Sequence, residues 1–309
     1  MSKALRFFIS LFSRIPFWIL YIKSDFLSKI LLRIFPYRKK VIDKNLESAF
    51  PEKSKKERVM IRRKFYSFFM DFIFEGIKQV SISPDELRKR MVYEGYEAID
   101  ALIESGKSAI VITYHYSDFE WAFVGYSAAA KHPLNGIYQP MKNEVLGDLI
   151  VSSRSRFGAT MIPMQNTYDF MNDHSSKDAF ALGLIPDQTP IPAKGYWMEF
   201  LGRGTPVYRG PENLAKKFNL AVYTIDVQPV KQGYYKAKVE LLTETPLECE
   251  DGWITEMFMK RLERKIIAKP EQYLWSHKRW KHTMPKDLPE NQISKRYPPV
   301  NRNKIDYKN

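Results

Sequence analysis

Cysteine is almost missing from this sequence, with Cys249 the one thiol in 309 residues. An intramolecular disulfide and a multi-cysteine metal cluster are both excluded, which fits a reducing compartment and makes a cytoplasmic site the simpler expectation. Zinc-type spacing is missing too. Of the five histidines, His115, His132, His174, His277 and His282, no two stand four apart on a helix, and His277 and His282 are five apart, so no metal is expected. No G-x-S-x-G elbow occurs, which leaves a serine hydrolase unsupported. Gly106-Lys107-Ser108 looks like the end of a phosphate-binding loop, but Ala101 stands where the first glycine is needed and the tripeptide precedes a strand instead of following it. Finally, no uninterrupted apolar run reaches the ~20 residues of a spanning helix, and there is neither an internal repeat nor a Gly/Pro-rich low-complexity stretch.

What is present is a folded chain, 44% hydrophobic and 14% aromatic, with a net charge of +14. Such a charge points to anionic partners. Its placement narrows them: residues 1–64 hold 17 Lys/Arg against 5 Asp/Glu, an excess of +12, and the same segment holds the longest apolar stretches. Ile15–Ile22 reads IPFWILYI, flanked by aromatic and aliphatic residues that Arg6, Arg14, Lys23, Asp25, Lys29 and Arg33 interrupt. Aromatics mixed with cations suit helices lying in the headgroup region of a membrane, with a short tilted span as the second choice and ordinary core-facing helices as the third. Arg14 splits the would-be apolar core of a signal peptide, and no small-residue cleavage site follows. Past Tyr37-Arg38, a polar helix through Glu47 is broken at Phe50-Pro51, and Ser54–Val80 is a second helix with Phe65, Phe68, Phe69, Phe72, Ile73 and Ile77 at helical spacing. Ser83-Pro84-Asp85-Glu86 reads as a helix start and marks a boundary near residue 90.

From Ser108 the pattern becomes α/β. Ala109–Tyr114 is a continuous β-rich run, expected to be buried on both faces of a mostly parallel sheet flanked by helices. His115 follows, and then a helix-compatible stretch to Ala130, so His115 is placed at the carboxyl edge of the sheet, where open α/β folds hold ligands. Glu120 lies five residues on. On one continuous helix the two would be about 140° apart. With His115 in the loop and Glu120 in the first turn, the carboxylate can meet one imidazole nitrogen and leave the other as a general base. A capping box of Ser117 and Glu120 explains the same residues without catalysis. A second apolar run, Ala179–Pro186, ends in Asp187-Gln188 and reaches the same edge.

The H-x4-E spacing resembles the first motif of the lysophospholipid acyltransferase superfamily, in the form used by the bacterial lipid A late acyltransferases, the lauroyl and myristoyl transferases. Glu120 in place of the commoner Asp favours that branch. Tyr138–Asn143 with Arg154-Ser155-Arg156-Phe157-Gly158 is similar to the second block, Pro186-Asp187-Gln188 with Phe200-Leu201-Gly202 to the third, and Pro270–Lys281 to the closing motif. Tyr37-Arg38, Asn45-Leu46 and Phe50-Pro51 also fit, so the likeness runs in order from about residue 10 to 283. Asp118 is a departure that adds a second candidate acid.

The resemblance implies a glycerolipid-acyltransferase-like fold, an acyl carrier protein or coenzyme A thioester as donor, a phosphorylated glycolipid (a lipid A precursor) as acceptor, anionic membrane lipids as surroundings, the cytoplasmic face of the bacterial inner membrane, and no resident cofactor. An aminolipid or lysophospholipid acceptor would use the same chemistry. Asn143, Arg154, Asp187 and Gln188 become candidates for binding substrate or the oxyanion. Against this, Arg154 and Arg156 read equally as surface charges and Asp187 as a turn or cap, while Tyr273, Trp275, His277 and Trp280 are expected to close the core. Val222–Val227 and Tyr234–Leu242 form a hairpin around Gly233, and residues 286–309 are a polar, basic, loose tail. The organisation expected is a helical membrane-associated region (1–90), an α/β acyltransferase domain (91–285) and the tail. The rival from another class is a non-enzymatic basic protein on anionic membrane or nucleic acid; the basic residues sit among aliphatic sequence instead of a nucleic-acid motif, so nucleic acid is not expected.

Overall fold

The computed structural model describes residues 3–34, 36–174 and 178–300. Five helices come first among the described residues. α1 (Lys3–Ser13) and α2 (Phe17–Arg33) meet at a 103° bend, with Pro16 at the α2 start, and among the described residues no single helix is long and apolar enough to cross a membrane. α3 (Lys39–Ala49) stops at Phe50-Pro51. α4 (Lys55–Lys78) opens with a capping box in which Ser54 Oγ accepts from Glu57 N and the Glu57 carboxylate accepts from Ser54 N at 2.7 Å. It buries Phe65, Tyr66, Phe68, Met70 and Phe74, and a fully buried Phe or Met is worth roughly 1.5–3 kcal/mol. α5 (Pro84–Arg90) has Ser83 as its cap and Pro84 at its first position, as the sequence leads one to expect.

The α/β part follows as β1 (Met91–Glu94), α6 (Glu97–Glu104), β2 (Ala109–Ile112), α7 (Phe119–Ala129), β3 (Leu134–Tyr138), α8 (Glu144–Arg154), β4 (Met161–Pro163), α9 (Thr167–His174), β5 (Ala181–Leu184), β6 (Tyr196–Phe200), β7 (Arg203–Val207), α10 (Gly210–Phe218), β8 (Ala221–Lys231), β9 (Tyr234–Thr243) and α11 (Trp253–Ala268). Seven strands form one sheet in the order β1-β9-β8-β2-β5-β3-β4. All neighbours pair in parallel except the β8–β9 hairpin, so the expected mostly parallel sheet is present. β6 and β7 make a separate antiparallel pair.

All four residues of β2 are buried, and they alternate between two cores. Ile110 and Ile112 pack with Phe65 of α4 and Phe258 and Leu262 of α11, whereas Ala109 and Val111 pack with Ile99 of α6 and Trp121 and Val124 of α7. The period-two alternation of a strand thus feeds both faces of the sheet. Because Phe65 and Tyr66 share a core with Ile110, the helical region from α3 onward is built into the sheet's packing.

The end of the chain departs from the expected loose tail. Ser294 N donates to Trp197 O (2.8 Å), Glu199 N to Tyr297 O (2.9 Å) and Gly204 N to Val300 O (3.0 Å), and Arg296 pairs with buried Glu256. The edges of the β6–β7 pair would otherwise present unpaired backbone groups at these points, and this segment satisfies them. Residues 301–309 of the expected tail lie outside the described residues.

Candidate active site

β2 and β5 are parallel neighbours with Ile112 opposite Leu184. Three residues beyond each of those ends stand His115 and Asp187. Neighbouring parallel chains leave the sheet in the same direction, so equal offsets bring these side chains together. His115 Nδ1 lies 2.6 Å from Asp187 Oδ1, and the His115 backbone N–H donates to both Asp187 oxygens at 3.2 Å. Asp187 is 1% exposed. Burial pushes its pKa up, but the imidazole, the hydrogen bonds from His115 and the charge of Arg279 outweigh burial and hold it below the usual carboxylate value. With Nδ1 committed, Nε2 is the nitrogen left for the cleft.

The contact expected between Glu120 and the imidazole is not the one this fold makes. Glu120 takes a two-pronged ion pair with Arg154, Nε to Oε2 at 2.9 Å and Nη2 to Oε1 at 2.6 Å. Burial works against the Arg154 charge, yet Glu120 beside it raises the guanidinium pKa above its ordinary value. Arg154 is therefore no solvated surface charge. Arg156 is also tied down, donating to the carbonyls of Gln79 and Ile82.

The Ser117 capping box is absent as well. Asp118 is the α7 cap, its Oδ1 accepting from Trp121 N at 2.8 Å, and Ser117 adopts φ 56°. A cap one residue later turns Glu120 toward Arg154. Asn143 is engaged in the same way, accepting from Leu146 N as the cap of α8.

His115, Arg154, Gln188 and Thr189 line one cleft of about 660 Å³. Ile137, Val151, Met164, Leu184, Ile185 and Leu214 supply apolar wall, and the size falls within the ordinary range of ligand sites, about 300–1,000 Å³. Among the described residues no three His, Cys, Asp or Glu side chains converge as a metal set.

The closing motif acts as a clamp. Ser117 N donates to Gln272 O (2.9 Å) and Leu274 N to His115 O (3.3 Å), so segment 272–274 lies against the His115 loop. Trp275 and Trp280 are buried, in line with the structural reading. His277 hydrogen-bonds Thr189 Oγ1 at 3.1 Å, and burial, with the charge of Arg279, pushes its pKa down to about 3. The clamp is itself held from the N-terminal region, where Asn45 Nδ2 donates to the carbonyls of Trp275 and His277 at 2.8 Å and Arg38 Nη1 to Ser276 O at 3.0 Å. Thr189 escaped the sequence analysis, since a lone threonine after Asp187-Gln188 carries no spacing signal.

Comparison with known proteins identifies the family. The sequence profile of the bacterial lipid A biosynthesis acyltransferases matches residues 5–282. The chain is 25% identical over 286 residues to the lipid A biosynthesis lauroyltransferase of Escherichia coli, covering 89% of each protein. It is 24% identical over 239 residues to a lipid A biosynthesis acyltransferase of Haemophilus influenzae, covering 75% of this chain and 72% of that one. To the E. coli lipid A biosynthesis palmitoleoyltransferase it is 24% identical over 250 residues, 79% of each. The matched region spans His115, Glu120, Arg154 and Asp187 together with the clamp that holds their loops, and the protein belongs to the bacterial lipid A biosynthesis acyltransferase family and is an acyltransferase.

Proposed function

We propose that the protein transfers a fatty acyl chain from a thioester, on acyl carrier protein or coenzyme A, to a hydroxyl of a phosphorylated glycolipid of the lipid A type, with His115 as general base. The observation that carries this is the His115–Asp187 pair at the lip of a largely apolar cleft. Asp187 fixes the imidazole tautomer and balances imidazolium charge. His115 Nε2 takes the acceptor proton, the alkoxide oxygen bonds to the thioester carbonyl carbon, and the carbonyl electrons move onto oxygen. Arg154, held by Glu120, offers a fixed cation to that oxyanion or to an acceptor phosphate. Collapse of the intermediate breaks the carbon–sulfur bond, and the thiolate leaves with the proton from His115. No covalent enzyme intermediate is needed. Gln188 at the cleft wall is a hydrogen-bonding group for the acceptor. Asn143, committed as a helix cap, acts by placing α8 and hence Arg154.

The cleft fits an acyl chain along its apolar wall, and α1 and α2 supply a surface to meet the lipid. Phe7, Phe8, Leu11, Trp18, Ile22 and Phe26 are all more than half exposed, in the most basic part of the chain. Contiguous exposed apolar side chains beside cations support monotopic attachment to an anionic membrane, at the cytoplasmic face of the inner membrane where acyl thioesters are made. Mass spectrometry of total lipids from cells with and without the protein tests the reading. A mass difference of one acyl chain on a lipid A species is expected; an unchanged lipid A profile with a shift in another lipid class overturns the acceptor.

A further inference from the structure

Glu75 of α4 and Asp118, the cap of α7, are 1% and 0% exposed and line no part of the cleft. Glu75 Oε1 accepts from the Tyr21 hydroxyl at 2.8 Å and Oε2 from the Tyr235 hydroxyl at 2.7 Å. Asp118 Oδ1 accepts from Trp121 N, while Oδ2 is buried with no donor to meet it among the described residues, and the Glu75 carboxyl is its strongest interacting neighbour. Tyr93 of β1 lies within reach as a neutral phenol, Glu120 of α7 adds negative charge, and the Arg90 guanidinium of α5 acts on Glu75 in the opposite sense. Two carboxyls in contact inside a protein do not both ionise. Two phenol donors favour charge on Glu75, whereas Asp118 has one backbone donor and an oxygen in need of a proton.

We propose that Glu75 and Asp118 hold one proton between them, carried on Asp118 Oδ2, and that the pair is a positioning device tying the start of α7, and with it the His115 loop and Glu120, to Tyr21 of α2. Burial raises the pKa of both groups, and the Glu75 charge raises that of Asp118 further, well above its ordinary value, in keeping with a neutral Asp118. The loop needs such an anchor, because Ser117 at φ 56° is in a conformation that L-residues adopt only when their surroundings hold them there. Gln272 holds Ser117 from one side; Glu75 holds the adjoining Asp118 from the other.

Tyr21 links this anchor to the membrane-facing helices. Its hydroxyl is seated against the β8–β9 turn, where a Cβ at Gly233 (φ 71°) would lie 1.9 Å from the phenol oxygen. Trp18 and Ile22, its neighbours on α2, are exposed. Lifting α2 withdraws a donor from the charged half of the pair, so the seating of α2 reports to the catalytic loop. The inference rests on His115 being the base.

The test uses the purified full chain in anionic vesicles. Infrared spectra at neutral pH should show the carbonyl stretch of a protonated carboxyl that vanishes in Asp118→Asn. Because the amide can cap α7 and donate to Glu75, Asp118→Asn should keep kcat within a few-fold. Asp118→Ala and Tyr21→Phe should each lower kcat about tenfold with KM unchanged, the scale of one lost hydrogen bond to a charged group, and the double variant should be no worse than Asp118→Ala alone. No such infrared band, a dead Asp118→Asn enzyme, multiplicative losses in the double variant, or a fall in Tm with kcat intact each overturns the proposal. His115→Ala assayed alongside keeps the readings apart: activity there sinks the base assignment while the infrared band still reports on the pair.

Discussion

His115 and Asp187 stand three residues past a matched pair, Ile112 and Leu184, on adjacent parallel strands, and their side chains meet at 2.6 Å. The contact is a property of sheet register. Seventy-two residues of chain separate the two groups, and a shift of either strand by one residue would turn one side chain to the opposite face.

His115→Ala should lower acyl transfer by about 10²–10⁴-fold, the usual worth of a general base. Asp187→Asn should also be severely impaired, since the amide can orient the ring but cannot balance its charge. The acid limb of stability carries a separate signature. Asp187 is held below its ordinary value near 3.8, so its contribution is present above that value and is lost as pH falls through the lower, folded one. Urea titrations of Asp187→Asn below pH 4 should show a flatter acid limb than wild type.

Glu120→Gln should reduce kcat by loosening Arg154, and Arg154→Ala should reduce it further. If Glu120 works through Arg154, the double variant is as slow as Arg154→Ala alone. Losses that multiply would mean that Glu120 acts on His115 independently, as the H-x4-E spacing by itself suggests.

Replacing Phe7, Trp18, Ile22 and Phe26 together by serine should release the protein from washed membranes while Tm stays near wild type, because these side chains are more than 60% exposed. Deleting the first 36 residues is a poorer test. It would also remove buried Leu20 from its cluster with Met70 and Phe74. Unchanged co-sedimentation of the fourfold variant would count against attachment through α1 and α2.

His277 is half-buried and neutral, with its pKa pushed down to about 3 from an ordinary 6.5. Between those values the unfolded chain binds a proton that the folded protein refuses, so folded stability falls as pH drops through this window, by up to about 1.4 kcal/mol per pH unit. His277→Gln should lose this slope. Equal slopes for wild type and variant between pH 6 and 4 would contradict a neutral, structural His277.

Much of the fold was legible in the sequence because its signals are local. The Ala109–Tyr114 run, the Phe50-Pro51 break, the Ser83-Pro84 start and the strands on either side of Gly233 each carry their own periodicity or turn chemistry. His115 was legible for the same reason, standing between a strand pattern and a helix pattern. The partner of its ring was not. Glu120 is close in sequence, but Asp118 takes the cap and sends the Glu120 carboxylate to Arg154.

The final segment shows the same limit. Residues 286–300 are polar and proline-containing, and their order comes from the otherwise unpaired edges of the β6–β7 pair, about ninety residues earlier in the chain. Composition, spacing and local periodicity thus determined the class of fold, the helical, apolar and basic start and the candidate base. Strand order decided which acid holds His115, which cation Glu120 holds, and why Asn45 and Trp275 matter to a loop neither belongs to. Those contacts depend on which strands become neighbours and in what register, which is settled by packing the whole core at once and is written in no single stretch of sequence.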